Sequence, residues 1–245
     1  MTQPELDISQ DIKKLEILVK TLVNTKFIGR YKSVFHGRGL EFESFREYTQ
    51  QDDFRFIDWK VSARINKLVM KEYQEERNLD VIFLLDTSSK MIFGSTNKIK
   101  SQYATDFIAS LSYAILQAND NVSLISMNTK QRKLIPLGNG NKQFYKLASC
   151  LLDKNNYGNE FNLKQALEYI LYAGKSQSLV FIISDFINPG NDFQDTLKVV
   201  SQKFDIIAVM IRDPLDHDLP EGYKVAISSP DSSKQMIIDT SLIKE

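Results

Sequence analysis

Val81-Ile82-Phe83-Leu84-Leu85-Asp86-Thr87-Ser88-Ser89 runs five apolar residues without a break and then stops at one carboxylate and three hydroxyls. A strand with one wet face alternates apolar and polar residues. A strand apolar at every position is covered on both faces, as in the middle of a parallel sheet between helices. Residues 179–184 repeat the pattern and close on Asp185. Between and beyond these two runs, strand patterns fall at 122–127, 133–137 and 205–211. Helical spacing of apolar residues falls at 99–115, 143–152, 163–173 and 192–200, with Gly174 as a stop signal after the third. Strands alternating with helices mean right-handed crossovers, so the chain reads as an α/β fold with a doubly wound, mostly parallel sheet and helices on both faces. Two weak strands, 224–227 and 236–238, read as an edge hairpin.

Upstream, Ile8, Ile12, Leu15, Leu18, Val19, Leu22 and Val23 mark one face of an amphipathic helix. From residue 28 to about 71 the texture changes to glycines, charge and aromatics with neither period, which reads as irregular structure with short strands. The expected organisation is an N-terminal helix over 1–27, a distinct segment over 28–77 and the α/β domain over 78–245.

Composition narrows the function. The 245 residues carry 31 Lys plus Arg and 31 Asp plus Glu, so no net field draws the chain to nucleic acid or to an anionic membrane. One cysteine, Cys150, and two histidines, His36 and His217, exclude an internal disulfide and a Cys/His zinc cluster, so any metal must be held by oxygen. No apolar run approaches the roughly 20 residues that cross a bilayer. The N-terminus is acidic where a signal peptide is basic, so the expectation is a cytoplasmic protein. No P-loop or G-x-S-x-G is present, and the lone Gly37-Arg38-Gly39 precedes no helix start.

In a doubly wound sheet, ligands meet the loops beyond the carboxyl ends of the strands. Asp86 and Asp185 belong there, with Thr87, Ser88 and Ser89 beside the first. Two carboxylates and hydroxyls at one edge are a chemistry suited to Mg²⁺. Residues Leu84 to Met91 resemble the D-x-S-x-S loop of von Willebrand factor A domains, and Ser184-Asp185 is similar to their second aspartate loop. The upstream set Gly37, Gly39, Phe42, Arg46, Glu47, Tyr48, Asp53, Arg55, Asp58, Trp59 and Arg64 resembles the signature of the DUF58 family, bacterial proteins with an A-type domain.

The resemblance implies a metal loop made by Asp86, Ser88, a third hydroxyl, a distant threonine and Asp185. Lys90 stands at the third position and Phe161 where the threonine aligns, so the set Asp86, Ser88 and Asp185 is degenerate, and no cofactor, or at most a weakly held Mg²⁺, is expected. Lys90 is expected to pair with Asp86 and Asp185 in place of the metal. The resemblance further implies a non-enzymatic interaction module. It would dock through Asp86, Thr87, Ser88, Ser89, Lys90 and Asp185, with a MoxR-type AAA+ ATPase and its target complex as partners. Two other classes stand beside it: a Mg²⁺-dependent hydrolase using Asp86 and Asp185, and a nucleic-acid binder using Arg55, Lys60, Arg64, Lys67 and Lys71. Trp59 and its aromatic neighbours are expected to form a small core. The charges around them are expected to tie the segment to the sheet, and Cys150 to lie in the core.

Overall fold

In chain order the elements of the computed structural model are α1 (Ile8–Leu22), β1 (Phe42–Glu47), α2 (Trp59–Ile65), β2 (Val69–Tyr73), β3 (Asp80–Asp86), α3 (Lys100–Gln117), β4 (Asn121–Met127) and β5 (Arg132–Gly138). There follow α4 (Gly140–Leu152), α5 (Leu163–Ala173), β6 (Leu179–Ser184), α6 (Gln194–Ser201), β7 (Asp205–Met210), β8 (Lys224–Ser228) and β9 (Gln235–Asp239). The structure describes residues 8–22, 42–49, 52–73, 78–190, 192–216, 224–228 and 235–239. His36, Gly37, Gly39 and His217 lie outside the described residues. The chain divides into two units, Gly29–Asn78 and the remainder, Met1–Ile28 with Leu79–Glu245.

The larger unit is built on a five-stranded sheet in the order β5-β4-β3-β6-β7. Strand β3 lies at its centre, parallel to β4 and β6, and β7 continues the parallel run beyond β6. Every residue of β3 and of β6 is buried, as covered central strands require. Strand β5 is antiparallel to β4 because residues 128–131 leave no room for a crossover. Asn128 Oδ1 makes that turn by accepting from the amides of Lys130 and Gln131. The tail strands β8 and β9 pair with each other as a separate antiparallel sheet.

Core side chains fill both faces. Ile82, Leu84, Ile125, Ile182, Leu167 and Ile170 form a buried cluster against α5 and α6. Across the sheet Phe83 stacks on Phe181 with ring centroids 5.3 Å apart. Helix α1 buries Leu15 and Val19, one turn apart, and packs on α3 and α4. Tyr145 on α4 donates to Glu16 at 2.9 Å. Gly174 does end α5, but not through a left-handed turn. A Cβ there would lie 2.6 Å from the Ile170 carbonyl oxygen and 2.9 Å from the Phe204 ring.

In the unit Gly29–Asn78, β1 and β2 form an antiparallel pair with an irregularity between Phe42 and Ser44. Asp58 caps α2, its Oδ1 accepting from the Lys60 and Val61 amides. Ile57, Ser62 and Val69 are the buried side chains among the described residues of this unit. The expected aromatic core is absent from them: Phe54, Phe56 and Trp59 are 66%, 55% and 64% exposed. Phe54 and Phe56 lie on a short helical turn capped by Asp53, and Trp59 opens α2. Among the charged residues Arg46 pairs with Asp52 at 2.6 Å, Arg55 with Asp53 at 2.5 Å and Lys67 with Glu47.

Candidate functional site

Asp86 is the last residue of β3, and Asp185 follows the last residue of β6. Because β3 and β6 are parallel neighbours with Leu85 opposite Ile183, the two carboxylates emerge on one sheet edge, one strand apart. Both are 1% exposed. Their solutions to burial differ.

Asp86 is held by neutral donors. Its Oδ1 accepts from the Ser88 amide at 2.8 Å and its Oδ2 from Ser184 Oγ at 2.6 Å. Burial, outweighing those hydrogen bonds, raises its carboxyl above the ordinary range, and the nearby Asp185 charge adds to the rise. Asp185 is held by a cation. Lys100 Nζ lies 3.0 Å from Asp185 Oδ2 and 3.0 Å from Asp216 Oδ2, with Lys100 3% exposed. The other Asp185 oxygen accepts from the Ile187 amide at 2.9 Å.

The loop after β3 is fixed by the segment that precedes α5. Gly158 donates to the Thr87 carbonyl at 2.9 Å, Ser89 donates to the Asn159 carbonyl at 2.8 Å, and Thr129 donates to the Glu160 carbonyl at 2.8 Å. Gly158 has φ +131°, open to glycine and strained for other residues. Asn162 Oδ1 accepts from the Gln165 amide and so caps α5. Phe161 packs against the core cluster. On the far side, Phe186 has φ +50°, a rare backbone state for a bulky residue. A cavity of about 10 Å³ lies between Asp86, Lys90, Phe161, Ser184, Asp185 and Phe186, about the room of one water molecule.

The structure therefore gathers Asp86, Thr87, Ser88, Ser89, Lys90 and Asp185 at one edge but corrects the role expected of Lys90. Its ammonium donates to the Ile187 carbonyl at 2.9 Å. No carboxylate of the described residues lies within ion-pair distance of it. The reason is geometric: Lys100, in the first turn of α3, already occupies the buried flank of Asp185. Sequence reading missed Lys100, Asp216 and the Ser184 hydroxyl. A signal for Lys100 existed, since a cation in a first helical turn opposes the helix dipole and needs a compensating anion. Cys150 is half-buried, its thiol 3.6 Å from Ser126 Oγ, and burial pushes that thiol up.

A divalent cation at this loop, as the D-x-S-x-S resemblance implies, does not fit the donors. Ser88 Oγ is buried without a hydrogen-bond partner, the one orphaned oxygen of the loop. Against it, Lys90 and Phe161 fill two of the five positions, and Asp185 is committed to Lys100 and the Ile187 amide. Among the described residues no three His, Cys, Asp or Glu side chains cluster so as to hold a metal. No helix among them is long and apolar enough to cross a membrane.

A mixed, mostly parallel sheet flanked by helices, with two aspartates at its carboxyl edge, is an α/β fold that resembles the von Willebrand factor A-like arrangement. The family described as "Protein of unknown function DUF58" matches residues 44–244, and the chain belongs to it. The chain is 22% identical over 235 residues to the uncharacterized protein Mb1516 of Mycobacterium bovis, covering 94% of this chain and 74% of that one. Among solved structures it is similar to BatB of Bacteroides thetaiotaomicron, with 13% identity, a TM-score of 0.45, and coverage of 67% of this chain and 82% of that one. It is likewise similar to the SpRpn10 VWA domain, with 13% identity, a TM-score of 0.41, and coverage of 58% and 80%.

Proposed function

We propose that this protein is a non-enzymatic adaptor that docks to a partner protein through the carboxyl edge of its sheet. The observation that carries the reading is the division of labour between two lysines. Lys100 neutralises the site's own Asp185, which leaves the Lys90 ammonium with a backbone carbonyl and no anion among the described residues. An ammonium has three donors, and only one is used by the carbonyl. An acidic side chain of a partner is the group that completes it. Rigid presentation supports the same reading, because backbone hydrogen bonds to the Gly158–Glu160 segment hold the loop in place before any partner arrives.

The partner we propose is a MoxR-type AAA+ ATPase, acting in the cytoplasm on a target complex; the support is the family resemblance. The hydrolase reading lacks metal donors at Lys90 and Phe161. The nucleic-acid reading is weakened where Arg55 and Lys67 are already bound to Asp53 and Glu47.

The test is calorimetry of the purified protein against the MoxR-type ATPase of the same genome. Stoichiometric binding that is lost in Lys90→Glu, with an unchanged melting temperature, is the expected result. Binding that Lys90→Glu leaves intact removes the docking edge from the proposal, and absence of binding by the parent removes the partner.

A further inference from the structure

Lys100 sits where its surroundings are least hospitable to a lysine. It is the first residue of α3, at the positive end of the helix dipole, and it is 3% exposed. Its ammonium is held by Asp185 Oδ2 and Asp216 Oδ2 at 3.0 Å each and lies 5.7 Å from the centroid of the Phe93 ring. These contacts join three separate segments: the loop after β6, the turn after β7, and the approach to α3. Asp213, 5% exposed, reinforces the last junction by accepting from the Ser95 amide at 2.7 Å.

Remove the lysine charge, and the buried Asp185 and the Asp216 side chain, 11% exposed, share one place with no other ion-paired cation among the described residues. That is the electrostatic problem a bound cation solves in oxygen-ligand sites, where one or two carboxylates and retained water hold Mg²⁺.

We infer that Lys100 is a built-in replacement for a divalent cation: a covalently attached ammonium assembles the Asp185 side of the carboxyl edge, so the site is organised without metal. The replacement comes from helix α3, not from the aspartate loop itself. It leaves the Asp86 side, with the orphaned Ser88 hydroxyl, outside its reach. The assignment concerns the isolated chain and stands whether or not the docking partner proposed above exists.

The experiment has two arms. In the first, the parent is titrated with MgCl₂ by calorimetry and melted with Mg²⁺ or with chelator. No binding heat and one melting temperature are expected, and stoichiometric Mg²⁺ binding by the parent overturns the inference. In the second, Lys100→Ala is melted with and without millimolar Mg²⁺ or Mn²⁺. The expected outcome is a cation-dependent rise of about 2–4 °C, the size of shift that modest ligand stabilisation gives a domain of this length. A folded variant with no response to cation overturns the inference. Should Lys100→Ala not fold when made alone, it is refolded from denaturant with each cation and without: recovery only with cation supports the replacement, and recovery in neither condition overturns it.

Discussion

The two units use the same residue types to opposite effect. In the sheet unit, Phe83 and Phe181 stack in the interior and Lys100 pairs with Asp185 out of reach of water. In the unit Gly29–Asn78, Phe54, Phe56 and Trp59 face solvent, and Arg55 with Asp53 and Lys67 with Glu47 pair on the surface. An aromatic ring contributes through the apolar area it takes out of water, and an ion pair through what breaking it leaves desolvated. Composition therefore says little about which contacts matter, while burial says a great deal. The sheet unit closes both faces with helices; the described residues of the smaller unit, a two-stranded pair with one short helix, bury only Ile57, Ser62 and Val69.

The sharpest way to break this contrast is at its extremes. Lys100→Ala leaves the buried Asp185 and the largely buried Asp216 without their cation and is expected to cost about 3–5 kcal/mol in chemical denaturation. Phe83→Ala opens a cavity in the core and is expected to cost a similar amount, about 3–5 kcal/mol. A loss below about 1 kcal/mol at either position would show that the sheet unit tolerates rearrangement, and the comparison would fail on its stronger side.

Asp86→Asn sharpens the contrast within the edge. The folded-state carboxyl of Asp86 is raised, so its contribution to stability is full below the unfolded carboxyl range and is lost as pH rises through the folded value. Asparagine does not ionise. The melting temperature of the variant should therefore gain on that of the parent as pH rises from acid to neutral, and a constant difference would show that Asp86 is not held under desolvation stress.

At the small end, Trp59→Ala should change stability by no more than about 0.5 kcal/mol, as surface substitutions usually do. A cost of about 3–5 kcal/mol would place that ring in a core and erase the difference between the units. Smallest of all, Lys67→Ala removes an exposed partner of Glu47 and should leave the denaturation midpoint unmoved at physiological salt.

Much of the architecture was written locally. The unbroken apolar runs before Asp86 and Asp185 marked two covered strands ending at one sheet edge, which the structure makes neighbours, and the three-and-four spacing at 163–173 bounded α5 as it is found. The motif residues Arg46, Asp53 and Asp58 were legible as a set; Arg46 pairs with Asp52, Asp53 with Arg55, and Asp58 caps α2. These readings succeed because strand and helix periodicity and turn chemistry act over a few residues.

Which cation serves which anion was not legible. Lys90 lies inside the aspartate loop and Lys100 ten residues beyond it, and proximity in sequence favoured the first. Lys100 meets Asp185 across 85 residues of chain because the start of α3 and the ends of β6 and β7 converge at one edge. The sequence by itself determined the strands and helices of the sheet unit and the edge to which two carboxylates come, while α2 at Trp59–Ile65, in a stretch read as irregular, was not legible. Tertiary structure alone decided that one of them is neutralised by an internal lysine and the other is not, because charge pairing depends on distance and burial in the folded chain.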